Sequence, residues 1–216
     1  MKIKYLAHSC FLFTGSDGLR VLVDPYKAGA YDGAIGYAPI RDEADIVVVT
    51  HDHPDHAAVD EVPGNPLVIR RSSTARGIRF ESFEAPHDRV KGLQRGKVSV
   101  FVFEMDGIRV CHLSDIGDVL DDDQMKRIGK VDILLAPVGG VYTLSGDEAA
   151  ELVSAIRPSL VIPMHFKTPR IGFPLEPVES FLKRYRDARR PGRCEIEVSP
   201  VGLPESTRVI VLEPAN

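Results

Sequence analysis

Tryptophan is absent from this 216-residue chain, cysteine occurs three times, and asparagine and glutamine occur twice each. Each scarcity excludes something. Cys10, Cys111 and Cys194 form no C-x-x-C pair, and an odd number of thiols argues against a disulfide framework. Reduced thiols and a cytoplasmic location are the expectation. So few amides beside 16 prolines fit a heat-adapted source, although genomic base composition produces the same scarcity. No apolar run approaches the ~20 residues that a membrane span needs. The start, Met1-Lys2-Ile3-Lys4, carries no cleavage-site pattern, so no signal peptide is expected. Excess positive charge is missing too. A net charge of -4 and a pI near 6.0 leave no basic footprint for nucleic acid.

What is present is ordinary at first sight. With 44% hydrophobic and 27% charged residues the composition is that of a globular protein. The length suits one domain over residues 1–216, with self-association left open. Alternating or continuous apolar runs predict strands over residues 2–6, 10–14, 19–24, 45–50, 67–70, 79–85, 98–104, 108–113, 131–138, 160–164, 195–198 and 208–212. Asp106-Gly107 and Ser16-Asp17-Gly18 supply hairpin turns. Helices are expected over residues 55–62 and 121–128, after the capping box Ser145-Gly146-Asp147-Glu148, and from Pro177 through Tyr185. Residues 27–44 show no period, and a loop of that length is expected at a functional rim.

One stretch organises the rest. The apolar run from Ile46 to Val49 ends in Thr50-His51-Asp52-His53-Pro54-Asp55-His56. Four metal-ligating side chains fall within six residues, directly after a strand. Such a cluster repels itself when protonated and is costly to desolvate unless a cation satisfies it. Imidazole nitrogen and carboxylate oxygen are the donors that zinc, iron and manganese accept. His87, Asp115 and His165 also each follow a predicted strand, so strand ends at one edge can bring them to the same point. Cys10 and Cys111 lie inside apolar strands and read as core thiols.

The H-x-H-x-D-H block resembles the metallo-β-lactamase-fold hydrolases, and most of all the branch that contains ascorbate-6-phosphate lactonase. The likeness extends from Tyr5-Leu6-Ala7-His8-Ser9 and Val23-Asp24-Pro25 through Cys111-His112-Leu113-Ser114-Asp115, Pro137-Val138-Gly139-Gly140 and Ile162-Pro163-Met164-His165-Phe166. It implies an α+β fold, a four-layer αββα sandwich of two mixed sheets with helices on the outer faces. It also implies two divalent metal ions, zinc first and manganese or iron as alternatives. One would lie on His51, His53 and His87, the other on Asp55, His56 and His165, with Asp115 bridging and Asp55 orienting the nucleophile. His8 and Asp24 are implied neighbours that orient the ligands, against the plainer reading of a structural histidine and a strand-ending aspartate. His53 stands where the diiron oxygen reductases of this superfamily carry Glu, which disfavours redox chemistry.

The implied activity is hydrolysis of a small ester, lactone or phosphoester by a hydroxide shared between two cations. A nuclease or phosphodiesterase of the same fold and a non-catalytic metal or ligand sensor are the rivals. A small molecule is the expected partner, with neither nucleic acid nor membrane. Tyr142, Thr143, Lys167 and Arg170 are candidate substrate contacts. His112 is expected not to be a ligand. In an extended strand it would lie ~10 Å from Asp115 and on the opposite face.

Overall fold

The computed structural model describes residues 1–216. Its first sheet is built from β1 (Lys2–Ala7), β2 (Cys10–Thr14), β3 (Arg20–Val23), β4 (Ile46–Val48), β5 (Leu67–Ile69) and β12 (Glu195–Glu197), in the order β12-β1-β2-β3-β4-β5. The second contains β6 (Ser73–Ala75), β7 (Ile78–Pro86), β8 (Lys97–Met105), β9 (Ile108–His112), β10 (Ile133–Pro137), β11 (Leu160–Met164) and β13 (Arg208–Val209). Its order is β13-β11-β10-β9-β8-β7-β6. Both sheets are mixed: β1 to β3 and β6 to β9 run antiparallel to their neighbours, while β3 to β5 and β9, β10, β11 and β13 pair in parallel.

Period-2 alternation explains the layering. Ile3, Tyr5, Phe11, Phe13, Val21, Val23, Ile46 and Val48 point into the core between the sheets. Leu6, Cys10, Leu12, Leu22, Val47 and Val49 point the other way, into a second buried cluster with Tyr26, Ile35, Tyr37 and Ile40. The first sheet is therefore apolar on both faces, and the 26–44 segment covers its outer one. The helices α1 (Asp122–Ile128) and α2 (Gly146–Ile156) lie over the second sheet, against β7 and β10, and α3 (Glu179–Leu182) packs on α2. Both longer helices start with capping boxes, at Asp121 and Ser145. The α+β sandwich is thus present, with irregular chain as the outer layer on one side.

Four local expectations are corrected. Residues 55–62 form turns and a 3₁₀ segment at Val59–Glu61 rather than a helix. Helical hydrogen bonding lapses after Ala57: the N–H of Ala58 goes to the Pro25 carbonyl, and those of Glu61 and Val62 reach only three residues back. The helix from Pro177 is regular only over Glu179–Leu182, because the N–H groups of Ser180, Phe181, Arg184 and Tyr185 reach three residues back instead of four. The last strand stops at Val209, after which Val211 donates to Arg189. The short strand β6 was not expected. It pairs with β7 across Arg76-Gly77, whose φ angles of 50° and 82° make a primed turn.

Strand ends position the functional side chains. β1, β3 and β11 each end one residue before a left-handed residue: His8 (φ 57°), Asp24 (φ 52°) and His165 (φ 52°). Ser114 (φ 57°) follows β9 in the same way, two residues on. Outside glycine this conformation is uncommon and strained, by an order of 1 kcal/mol or more each. Its concentration here turns chain from both sheets toward one point. Gly139 permits the closest approach: a Cβ there would lie 2.0 Å from the His165 carbonyl oxygen.

Candidate metal centre

All seven sequence-predicted ligands meet at this edge. β4 delivers Thr50 and His51, and the turn closed by the His53 carbonyl folds His56 back beside His51, ring centroids 4.3 Å apart. His51, His53 and His87 form a triangle with centroids 4.6, 5.1 and 5.1 Å apart. Their ligating atoms lie within 4.8 Å of one another, and so do those of His8, Asp55, His56 and His165. Asp115 stands between the groups. Its Oδ2 is 3.0 Å from His56 Nε2, 3.1 Å from His165 Nε2 and 4.0 Å from His87 Nε2.

The donors fit a cation on two independent observations. His51 Nε2 is buried and has no hydrogen-bond partner, a costly arrangement for an imidazole unless the lone pair is used. The electrostatics agree. Burial, reinforced by His56, pushes His51 down to about 2, so it is a neutral ligand. Burial likewise lowers His87. Burial opposes ionisation of Asp115, but His165 and His56 outweigh it and hold the carboxyl well below its ordinary range. At Asp55, burial again opposes ionisation, and His56 and His8 again prevail. His56 itself is raised: against its burial, Asp115 and Asp55 draw positive charge onto it. Two ionised carboxylates beside the neutral imidazoles of His51 and His87 make a pocket that calls for cations.

Around the ligands a second ring of hydrogen bonds fixes orientation. Asp24 is fully buried and accepts from the Thr50 N–H (2.8 Å), the Thr50 hydroxyl (2.7 Å) and His56 Nδ1 (2.9 Å). With the Nδ1 proton held there, His56 Nε2 faces Asp115. Thr50 Oγ1 also contacts His51 Nδ1 at 2.9 Å and accepts from Ser114 Oγ at 2.6 Å. His8 Nε2 meets Asp55 Oδ2 at 3.0 Å, and the Tyr31 hydroxyl donates to Asp55 Oδ1 at 3.1 Å. His112 lies outside both groups of ligating atoms: its Nε2 bonds the Ser9 carbonyl at 3.0 Å and its Nδ1 accepts from the Ser114 N–H. The reason differs from strand alternation, since β9 ends at His112 and the left-handed Ser114 sets the direction of Asp115.

The centre opens into a cavity of about 310 Å³, lined by His53, Asp55, His87, Asp115 and His165 and by Tyr31, Arg95, Tyr142 and Phe173. Of the candidate substrate contacts only Tyr142 lines it. Lys167 Nζ is bound to the carbonyls of Ile171 and Phe173 and staples its own loop. Arg170 lines a different cavity beside Tyr37. Thr143 is buried, with its hydroxyl on the Leu144 carbonyl at 3.3 Å. Thr50, Ser114, Tyr31, Arg95 and Phe173 were not anticipated. Thr50 had a signal, its place directly before His51; the others lie in loops without a period.

Fold and centre together define a metallo-β-lactamase-type sandwich. The sequence profile of the beta-lactamase superfamily domain matches residues 2–165, and the chain belongs to that family. A UPF0173 metal-dependent hydrolase of Methanoculleus marisnigri is 31% identical, over 93% of this chain and 98% of its own length. Among solved structures, a Zn-dependent hydrolase of the metallo-beta-lactamase superfamily from Thermotoga maritima superposes with a TM-score of 0.79 at 35% identity, covering 98% of each chain. The metallo hydrolase Igni18 of Ignicoccus hospitalis shares the fold, with a TM-score of 0.61 at 22% identity over 100% of this chain and 96% of its own. No helix is long and apolar enough to cross a membrane.

Proposed function

We propose that the chain is a metal-dependent hydrolase of a small ester, lactone or phosphoester, with two divalent cations, zinc first. His51, His53 and His87 would hold one ion and Asp55, His56 and His165 the other, with Asp115 standing between the two groups. Bound there, the ions supply a hydroxide near neutral pH and a Lewis acid for the scissile oxygen. The remaining work falls to the chain. Asp55 lines the cavity and would orient the nucleophile. His8 and Tyr31 fix the Asp55 oxygens from two sides. Asp24 keeps the His56 proton on Nδ1, leaving Nε2 free as a ligand.

The observation that carries this reading is the opening. Five donor side chains form the floor of a cavity large enough for a small molecule, whereas a structural or sensing site would be closed by protein ligands. The test is metal analysis of purified, metal-replete protein, followed by lactone, ester, phosphodiester and thioester panels with zinc, manganese or iron restored. Two equivalents of metal and a chelator-sensitive hydrolysis are expected. Less than one equivalent, or no turnover on any panel by fully loaded protein, overturns the proposal.

A further inference from the structure

Arg95 is the one cationic side chain that lines the cavity. Its neighbours on the same loop are all neutralised: Arg89 by Glu148 (2.5 and 2.7 Å), Lys91 by Asp118 (2.8 Å) and Lys97 by Glu84 (2.8 Å). Arg95 has no carboxylate partner. Its guanidinium instead lies over the Tyr142 ring, 4.8 Å from the centroid, and both side chains line the cavity.

The loop is built to hold it there. Asp88, buried beside His87, accepts the backbone N–H groups of Val90 (2.9 Å), Gly92 (2.8 Å), Gln94 (2.9 Å) and Arg95 (2.7 Å). The His87 N–H closes the loop onto the Gly96 carbonyl at 3.1 Å. One buried carboxylate thus fixes both the start of the loop, at a metal-ligand candidate, and the Arg95 backbone. Preorganisation of this kind lowers the ordering cost of binding. Next to Arg95 the cavity wall is aromatic: Tyr142 meets Phe173 edge-on at 5.7 Å, and Phe173 meets Tyr31 at 5.3 Å.

We propose that Arg95 anchors an anionic group of the substrate, a carboxylate or a phosphate, while Phe173 and Tyr31 hold the apolar part between that group and the bond cleaved. The substrate class is therefore a small anion with a short apolar linker to its ester, lactone or phosphoester. This rests on the reading of the cavity floor as a metal centre, whose cations outweigh the charges of Asp55 and Asp115. An arginine fork binds either anion through paired, charge-assisted hydrogen bonds.

The test reads binding, not turnover. Metal-loaded wild type, Arg95→Gln and Lys91→Gln are titrated calorimetrically with phenylacetate, phenylphosphonate and neutral phenylacetamide. The preference for anion over amide is expected to fall at least about fivefold in Arg95→Gln and to stay unchanged in Lys91→Gln. The anion with the larger fall identifies the group recognised. A smaller fall in Arg95→Gln overturns the proposal, as does an equal fall in Lys91→Gln or the absence of any anion preference in wild type. Wild type that binds the anions through Arg95 but hydrolyses no panel substrate leaves the anchor standing and removes the hydrolase reading.

Discussion

Asp24→Asn is the sharpest probe of the centre, because it changes one atom in a fully buried position. The amide oxygen can replace Oδ1 and keep the Thr50 N–H at 2.8 Å. An NH₂ then stands where Oδ2 accepted from the Thr50 hydroxyl at 2.7 Å and from His56 Nδ1 at 2.9 Å. Thr50 cannot simply reverse its role, since Ser114 Oγ and His51 Nδ1 already approach the same oxygen at 2.6 and 2.9 Å. Losing one charge-assisted bond removes about 1.5–3 kcal/mol of fold stability. His56 relieves the remaining donor clash by moving its proton from Nδ1 to Nε2, the nitrogen that faces Asp115. A metal must then displace that proton. Affinity is expected to fall about 10–100-fold, the usual effect of losing a partner that orients a ligand. The assay is competition against a chromogenic chelator at neutral pH, with thermal unfolding measured alongside. A folded Asp24→Asn protein that binds metal within about threefold of wild type would falsify the tautomer argument.

Three further outcomes are expected. Asp55→Asn lowers kcat far more than it raises KM, because orienting a nucleophile matters most in the transition state; steady-state kinetics in which KM alone changes would remove that role. His87→Ala loses a metal equivalent and turnover, whereas His112→Ala keeps its metals and loses only its hydrogen bonds to the Ser9 carbonyl and the Ser114 N–H; elemental analysis giving the reverse pattern defeats the assignment. The last concerns pH in the presence of chelator. Burial and the nearby His165 push His8 down to about 4 from an ordinary 6.5. The unfolded chain therefore takes up a proton that the fold refuses, so the His8 contribution is full above 6.5 and is lost as pH falls toward 4. Denaturant melts across that window should show a slope that His8→Gln reduces by at most about 3 kcal/mol, the remainder coming from His51 and His87, which burial lowers in the same way; equal slopes in the two proteins contradict the reading.

The meeting of the seven candidate ligands was legible because each lies just beyond a strand, and strand ends at one edge can converge. Ile46 to Val49 could only be a buried strand, and the residues directly after Val49 had to emerge at a sheet edge. The sandwich was legible for the same reason: Phe11 and Phe13 against Cys10 and Leu12 separate into two clusters by alternation alone. Residues 55–62 misled because their apolar residues fit a helical face while the Ala58 N–H is spent on the Pro25 carbonyl, a tertiary fact. The cavity wall was legible only in part. The stretch 27–44, expected at the rim, supplies Tyr31, and Tyr142 was a candidate contact, but no period in the loops of Arg95 and Phe173 tells which side chain turns inward. Lys167 shows the same limit from the other side: its charge and its place two residues after His165 suggested a substrate contact, yet two carbonyls of its own loop absorb it.

The ligands come from two different sheets. His51, His53, Asp55 and His56 follow β4 in the first, while His87, Asp115 and His165 follow β7, β9 and β11 in the second. On the proposed assignment, ions held between them would act as a clasp across the seam of the sandwich. The hinge side of that clasp is the apolar core, which stays shut by itself; the clasped side is a rim of strained, left-handed turns. Each ion at a hundred times its dissociation constant adds about 2.7 kcal/mol against opening. On that assignment the atoms proposed for the chemistry would also lock the two halves together, and metal starvation would loosen the rim before it touched the core.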